Sequence, residues 1–282
     1  MKLKNKKTFI TKASGERHVF SEDKLRVSLL RSGAPLSVVN VIIEAVISKL
    51  YDGITTAEIY RIAFSMLKKR GKGPAAKYKL KNALMELGPT GFPFEQFIAR
   101  VFQAMSFETE TGKLMEGNCV RHEVDVVAHK GTEQHLIECK FHQQKGVFCD
   151  VKIPLYIHSR FADIEERLTK TGKDRALSLT GWVATNTHFT KDAISYGVCI
   201  GLNLLGWDFP AKDGLRDLID RYGLHPLTCL TTLTRQEKQQ LLEKKIVLCS
   251  ELMTHELLLK NLVHAERLER VKTECANLCS RL

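Results

Sequence analysis

The 282-residue chain has no apolar run near the roughly 18 residues that a membrane helix needs. Neither a membrane-spanning helix nor a membrane partner is therefore expected. Its eight cysteines include no C-x-x-C pair, which argues against a zinc ribbon. Cys275 and Cys279 lie four apart in a helical tail, and reduced, buried thiols are the expectation for most of the eight. The chain shows no internal repeat and no low-complexity tract. The basic start, Met1-Lys2-Leu3-Lys4-Asn5-Lys6-Lys7, is not followed by an apolar segment of the signal-peptide kind. A cytoplasmic location is the expectation.

What is present points to a globular protein of about two or three domains. Apolar residues make up 44% of the chain, and the net charge is +11. Residues 1–88 hold 18 Lys/Arg against 7 Asp/Glu and so carry the whole excess. Residues 89–212 and 213–282 are close to neutral. A localised positive field suits phosphate ligands, either nucleotide or nucleic acid; a basic surface serving solubility alone is the alternative.

The pattern predicts an α/β protein in three parts. In residues 1–88, Thr8–Lys12 and Arg17–Phe20 flank a turn at Gly15 and read as a hairpin. Helices are then expected from a cap at Ser21, over Leu36–Tyr51 and over Ala57–Arg70. A basic loop at Lys68–Pro74 and a helix over Ala75–Leu87 complete the segment. Gly88-Pro89-Thr90-Gly91-Phe92-Pro93 is the best boundary. Residues 89–212 read as helix (Phe94–Met105), strands (Phe107–Thr111, Glu123–His129, Gln134–Phe141), helix (Val151–Arg167), strand (Ser178–Thr185), helix (Thr190–Cys199) and strand (Leu202–Gly206). That αβββαβ order implies a mixed sheet with covered faces. Residues 213–282 read as helical, ending in one long helix from Glu251 with a stripe of Leu257, Leu258, Leu262, Leu268 and Val271.

The chemistry concentrates at Asp125 and Glu138-Cys139-Lys140. Strand side chains alternate faces. Ile137, Cys139 and Phe141 should share the apolar face, and Glu138 and Lys140 the other. Paired strands would bring Asp125 to Glu138. Two carboxylates and an ammonium at one point can hold a divalent cation beside a water. The same residues could also form the solvated face of a half-exposed sheet.

The order of these residues resembles the PD-(D/E)XK nuclease fold, in particular its Mrr-like restriction endonuclease branch. The match runs from Gly91-Phe92-Pro93-Phe94-Glu95 through Asp125 and Glu138-Cys139-Lys140 to Thr185-Asn186-Thr187-His188-Phe189-Thr190. Where many relatives have a glycine before the strand acid, this chain has Glu123-Val124. The resemblance implies Mg2+-dependent cleavage of DNA. Asp125, Glu138 and the main-chain carbonyl of Cys139 would bind the metal. Lys140 would orient the attacking water, and Glu95 would be a further acid of the site or else a surface helix residue. His142, Gln143 and Gln144 follow as loop residues within reach of DNA. Thr185, Asn186 and Thr190 fit a strand end and a helix cap.

Residues 8–88 resemble the ATP-cone domain through Ile10-Thr11-Lys12-Ala13-Ser14-Gly15, Phe20-Ser21-Glu22-Asp23-Lys24-Leu25 and Tyr51-Asp52-Gly53-Ile54-Thr55-Thr56. The resemblance implies a module that binds ATP or dATP as a regulatory ligand. Lys12 and Lys24 would meet phosphates, Thr56 would lie near the base, and Ile10 and Leu25 would line the apolar part. His18 and Ser21 stand where relatives place acidic or amide residues, and Ala13 replaces an arginine. Residues 226–255 resemble a helix-hairpin-helix element. Double-strand cleavage with one site per chain would favour a homodimer. The alternative function is a catalytically inactive, nucleotide-responsive DNA-binding protein.

Overall fold

The computed structural model describes residues 8–70, 72–171 and 178–279. The basic start, Met1–Lys7, and Gly71 of the basic tract lie outside them. The protein is α/β, with mixed sheets and a helical C-terminal part.

The N-terminal unit begins with the expected hairpin, β1 (Phe9–Thr11) and β2 (Arg17–Val19). Gly15 closes it at φ +84°, a backbone state only glycine takes without cost. Ser21 caps α1 (Glu22–Arg31), its hydroxyl accepting the N–H of Lys24 at 3.3 Å. Next come α2 (Leu36–Ile47), β3 (Ile54–Thr55) parallel to β1, α3 (Thr56–Arg70) and α4 (Lys72–Tyr78). Leu25, Leu29, Val39, Ile42, Ile43, Val46 and Ile54 fill its core. Helix α2 stops short of the expected Tyr51. The chain turns back after Ile47, so that the Gly53 N–H meets the Phe9 carbonyl at 2.8 Å. The tract expected as a basic loop is helical on both sides of Gly71. The helix expected over 75–87 breaks at Lys79, giving α5 (Leu80–Met85). The break lets Ala75 face the N-terminal core while Ala76, Leu80, Ala83 and Leu84 enter the central one.

The central unit is α6 (Phe92–Ala104), β4 (Glu108–Glu116), β5 (Arg121–Lys130), β6 (Glu133–Lys140), β7 (Phe148–Cys149), α7 (Lys152–Thr171), β8 (Ser178–Thr185), β9 (His188–Phe189), α8 (Lys191–Cys199) and β10 (Asn203–Leu205). Five strands form one sheet in the order β10-β8-β6-β5-β4. The β4–β5–β6 part is antiparallel; β6, β8 and β10 run parallel. Phe94, Phe97, Ile98, Val101 and Phe102 of α6 cover one face, against Val126, Ile137 and Cys139. Ile157, Phe161 and Ile164 of α7 cover the other, against Val127, Leu136 and Val183. Burial on both faces explains why β5 and β6 carry apolar residues at successive positions. Strand β4 runs past the expected end at Thr111 because Gly112, at φ +63°, bends the chain without ending the pairing.

The tail holds α9 (Leu215–Tyr222), a 3-10 turn at Leu227–Cys229, α10 (Arg235–Glu243), α11 (Cys249–Thr254), α12 (Glu256–Leu262) and α13 (Ala265–Cys279). The single helix expected from Glu251 is three, broken at His255 and again at Val263. Helices α10 and α11 form a hairpin through residues 244–248, with Lys245 at φ +61°. Of the apolar stripe, Val271 is buried and Leu258, Leu262 and Leu268 pack on the core, while Leu257 is 75% exposed. The tail shares one buried core with α6, and Arg100 pairs with Glu251 at 2.5 Å. No helix among the described residues is long and apolar enough to cross a membrane. All eight cysteines are free.

Candidate active site

Strands β5 and β6 pair from Lys130–Glu133 up to Val126–Ile137 and then part. The next pair in that register is Asp125 and Glu138. Past this point the Cys139 N–H has no strand partner on the β5 side, and the Asp125 carboxylate accepts it at 2.7 Å. On its other edge Asp125 faces Gly112, the one residue skipped in the β4–β5 ladder. Side-chain alternation breaks here too: Val124 packs with Val127 on the α7 side, whereas Val126 and Ala128 pack on the α6 side. Asp125 thus stands at a local twist of the sheet.

Glu138 and Lys140 share a face, as their spacing requires. Lys140 Nζ donates to Glu138 Oε1 at 3.2 Å. Glu138 is buried, only 5% exposed, and its other oxygen accepts Arg160 Nη1 at 2.7 Å. Arg160 also donates to the Glu123 carbonyl and lies over the Tyr156 ring. A motif search confined to strands misses Arg160, because it comes from α7, 22 positions beyond Glu138. Its helical face, one turn from Ile157 and Ile164, is the only sequence signal that it points at the sheet.

Glu95 lies in the first turn of α6, where a Cβ on Gly91 would come 3.3 Å from its carboxylate. Burial, followed by the charges of Asp125, Glu123 and Glu138, pushes its pKa up to about 7. Asp125 is pushed up to about 6, first by burial and then by Glu138; the Cys139 N–H, Lys140 and Arg160 oppose the shift. Both shifts are thus due first to burial, with neighbouring carboxylates adding to them. Among the described residues, no three His, Cys, Asp or Glu side chains form a ready-made metal group. The oxygen-only set of Asp125, Glu138 and the Cys139 carbonyl suits a hard cation that keeps most of its waters. The Cys139 thiol points the other way, into the α6 core, and burial raises its pKa.

A cavity of about 470 Å3 opens beside Lys140, walled by Pro89, Gly91 and residues 139–144 and 147. Gln143 donates to the Pro89 carbonyl. His142 is held through its main chain by Asn186, which accepts its N–H at 2.9 Å and donates to its carbonyl at 2.8 Å. Thr185 donates to the Lys140 carbonyl at 2.7 Å, and Thr190 caps α8. The Thr185–Asn186 pair thus fixes the backbone that carries Lys140 out of the sheet.

The residues expected to bind nucleotide lie on one unit. Ile10, Lys12 and His18 are on the hairpin or its turn, Ser21, Lys24 and Leu25 open α1, and Thr56 opens α3. Ile10 and Leu25 belong to the N-terminal core, whereas Lys24 is exposed. Glu16 draws in both Lys12 at 3.8 Å and His18 at 3.3 Å.

Residues 225–279 match the family model described as AF1548-like, C-terminal. An uncharacterized protein of Archaeoglobus fulgidus is 35% identical over 157 residues, which is 56% of this chain and 84% of that protein. A crystal structure of a protein of unknown function, AF1548, aligns with a TM-score of 0.55 at 30% identity, covering 67% of this chain and 98% of that one. With 84% of an archaeal relative covered at 35% identity, and the tail matching the family model, the chain belongs to the AF1548-like family.

Proposed function

We propose that this chain is a Mg2+-dependent DNA endonuclease of the Mrr-like type, with an N-terminal ATP-cone-like module that binds ATP or dATP. One observation supports the reading: where β5 and β6 part, Asp125 accepts the Cys139 N–H and Lys140, which lines a cavity, pairs with Glu138.

Asp125, Glu138 and the Cys139 carbonyl would hold the cation. Its fit rests on the all-oxygen donor set at the point where β5 and β6 part. A bound divalent cation supplies Lewis-acid polarisation of a phosphoryl oxygen and a more acidic water. Lys140, freed from Glu138, orients the attacking water and offsets charge developing on the phosphorus oxygens. Arg160 keeps one Glu138 oxygen fixed, so the carboxylate presents the other. Glu95, with a pKa near neutral, can take a proton from water at working pH.

The test is plasmid nicking with Mg2+ against EDTA, with and without ATP or dATP. Asp125→Asn and Lys140→Met should both abolish cleavage and leave the thermal transition cooperative. Unchanged nicking by both variants sinks the assignment. For the module, saturable ATP binding should weaken in Lys12→Ala and Lys24→Ala.

A second reading, a catalytically inactive nucleotide-responsive DNA-binding protein, is favoured by one specific feature: Lys140 and Arg160 already occupy both oxygens of Glu138. DNA binding with no Mg2+-dependent cleavage at any nucleotide concentration would select it.

A further inference from the structure

The N-terminal unit meets the central one at a seam lined with cations. The hairpin turn presses on the loop after β6: a Cβ on Gly146 would lie 2.6 Å from the Ser14 nitrogen and 2.8 Å from the Ala13 carbonyl oxygen. Gly146 is at φ +82°, so the close approach and the backbone state both call for glycine. Beside it, Lys145 holds its ammonium 5.6 Å from the Tyr60 ring and has no hydrogen-bond or ion-pair partner among the described residues. Lys81 of α5 is half-buried and reaches His188 Nε2 at 2.8 Å. His188 in turn contacts Asp208 at 2.7 Å through Nδ1, which makes it a neutral acceptor toward Lys81. The Trp207 ring takes Lys81 at 5.5 Å and Arg216 at 6.0 Å. Arg216 Nε is buried with no hydrogen-bond partner among the described residues, while its Nη2 lies 3.4 Å from Asp217.

Asp217 pairs with Arg216 at 3.4 Å and Glu16 with Lys12 at 3.8 Å, which leaves Lys81 and Lys145 with no carboxylate in contact among the described residues. Burial lowers the pKa of Lys81, and Lys145, Arg216 and Lys12 lower it further; Asp208 alone acts the other way. His188 is lowered by burial and then by Lys81. Glu86 also faces Lys145, but Lys79 holds its carboxylate at 2.7 Å.

We infer that this seam is a binding site for a phosphate group, with Lys81 and Lys145 supplying the unpaired positive charge and Arg216 and Lys12, each beside an acid, at its edge. Phosphate matches a cluster of point charges with a guanidinium and spare N–H donors. The group could come from a nucleotide or from a nucleic-acid backbone. The inference does not depend on cleavage, because binding is read in EDTA.

The test uses the full chain, with three probes titrated calorimetrically: inorganic pyrophosphate, ATP and a short DNA duplex. Lys145→Gln and Lys81→Met should each weaken at least one probe about tenfold, the loss of one charged contact. Loss for ATP and pyrophosphate with DNA unchanged assigns the site to nucleotide. Loss for DNA, with a salt slope shallower by about one, assigns it to the backbone. Wild-type affinity for all three probes in both folded variants overturns the inference, as does a wild-type chain that binds none of them. Lys145 is exposed, so Lys145→Gln decides alone if Lys81→Met does not fold.

Discussion

Arg160 of α7 lies 2.7 Å from Glu138 of β6, and that pair ties the helical layer to the acid at the centre of the site. Removing the arginine leaves a carboxylate that is 5% exposed with Lys140 as its remaining cation. Breaking a buried pair from one side is costly. Arg160→Ala should lose about 2–3 kcal/mol in urea unfolding, and the loss should shrink when Glu138 is also changed to Gln.

The raised carboxyls set a pH dependence. Unfolded, Asp125 titrates near its ordinary value; folded, it is pushed up to about 6, and Glu95 to about 7. The folded state therefore binds more protons between about pH 4 and 7. Stability falls as pH rises through that window and levels above it. Asp125→Asn should stabilise the metal-free protein at pH 7.5 by about 1–2 kcal/mol after solvent screening, with little effect near pH 4. Thermal melts at the two pH values check the sign. A gain confined to acid pH would refute it.

Glu274 offers a test in the tail. It is 1% exposed and accepts four bonds, from the N–H and hydroxyl groups of Thr231 and Thr232, at 2.6–2.9 Å. Glu274→Gln turns one acceptor into a donor facing donors. A loss of about 2–3 kcal/mol, with the urea m-value unchanged, is the expected result.

Gly146→Val probes the contact between the hairpin and the site loop. The substitution is strained at φ +82° and drives a side chain into Ala13 and Ser14. Hydrogen exchange at residues 12–16 should speed up, while β6 and β8 keep their protection. Equal loss of protection in both would mean that the seam and the sheet open together.

Much of this architecture is legible in the sequence, for physical reasons that differ by element. Strand alternation put Ile137 and Cys139 on the α6 side and Glu138 and Lys140 together on the other, because successive side chains point to opposite faces. Ser21 and Thr190 cap their helices as their side chains allow. The misses share one cause. Gly112 lies just past the expected end of its strand at Thr111, yet the strand bends there and keeps pairing. Lys79 has ample helix propensity, yet the helix breaks there because two cores compete for its flanks. Arg160 belongs to a helix whose register on the sheet no local pattern records. Tertiary packing made those three choices.

The tail also sets a condition on synthesis. Helix α6, which carries Glu95, packs into a core that includes Leu218, Leu241, Leu252 and Leu278. Emerging from the ribosome, α6 can lay one flank on β5 and β6 early. Its other flank waits for residues more than a hundred positions later, which arrive only near the end of translation. Until then the apolar side of the helix behind the site is open to chaperones, and a nascent chain stalled before α13 would present the acids of the site on an unfinished support.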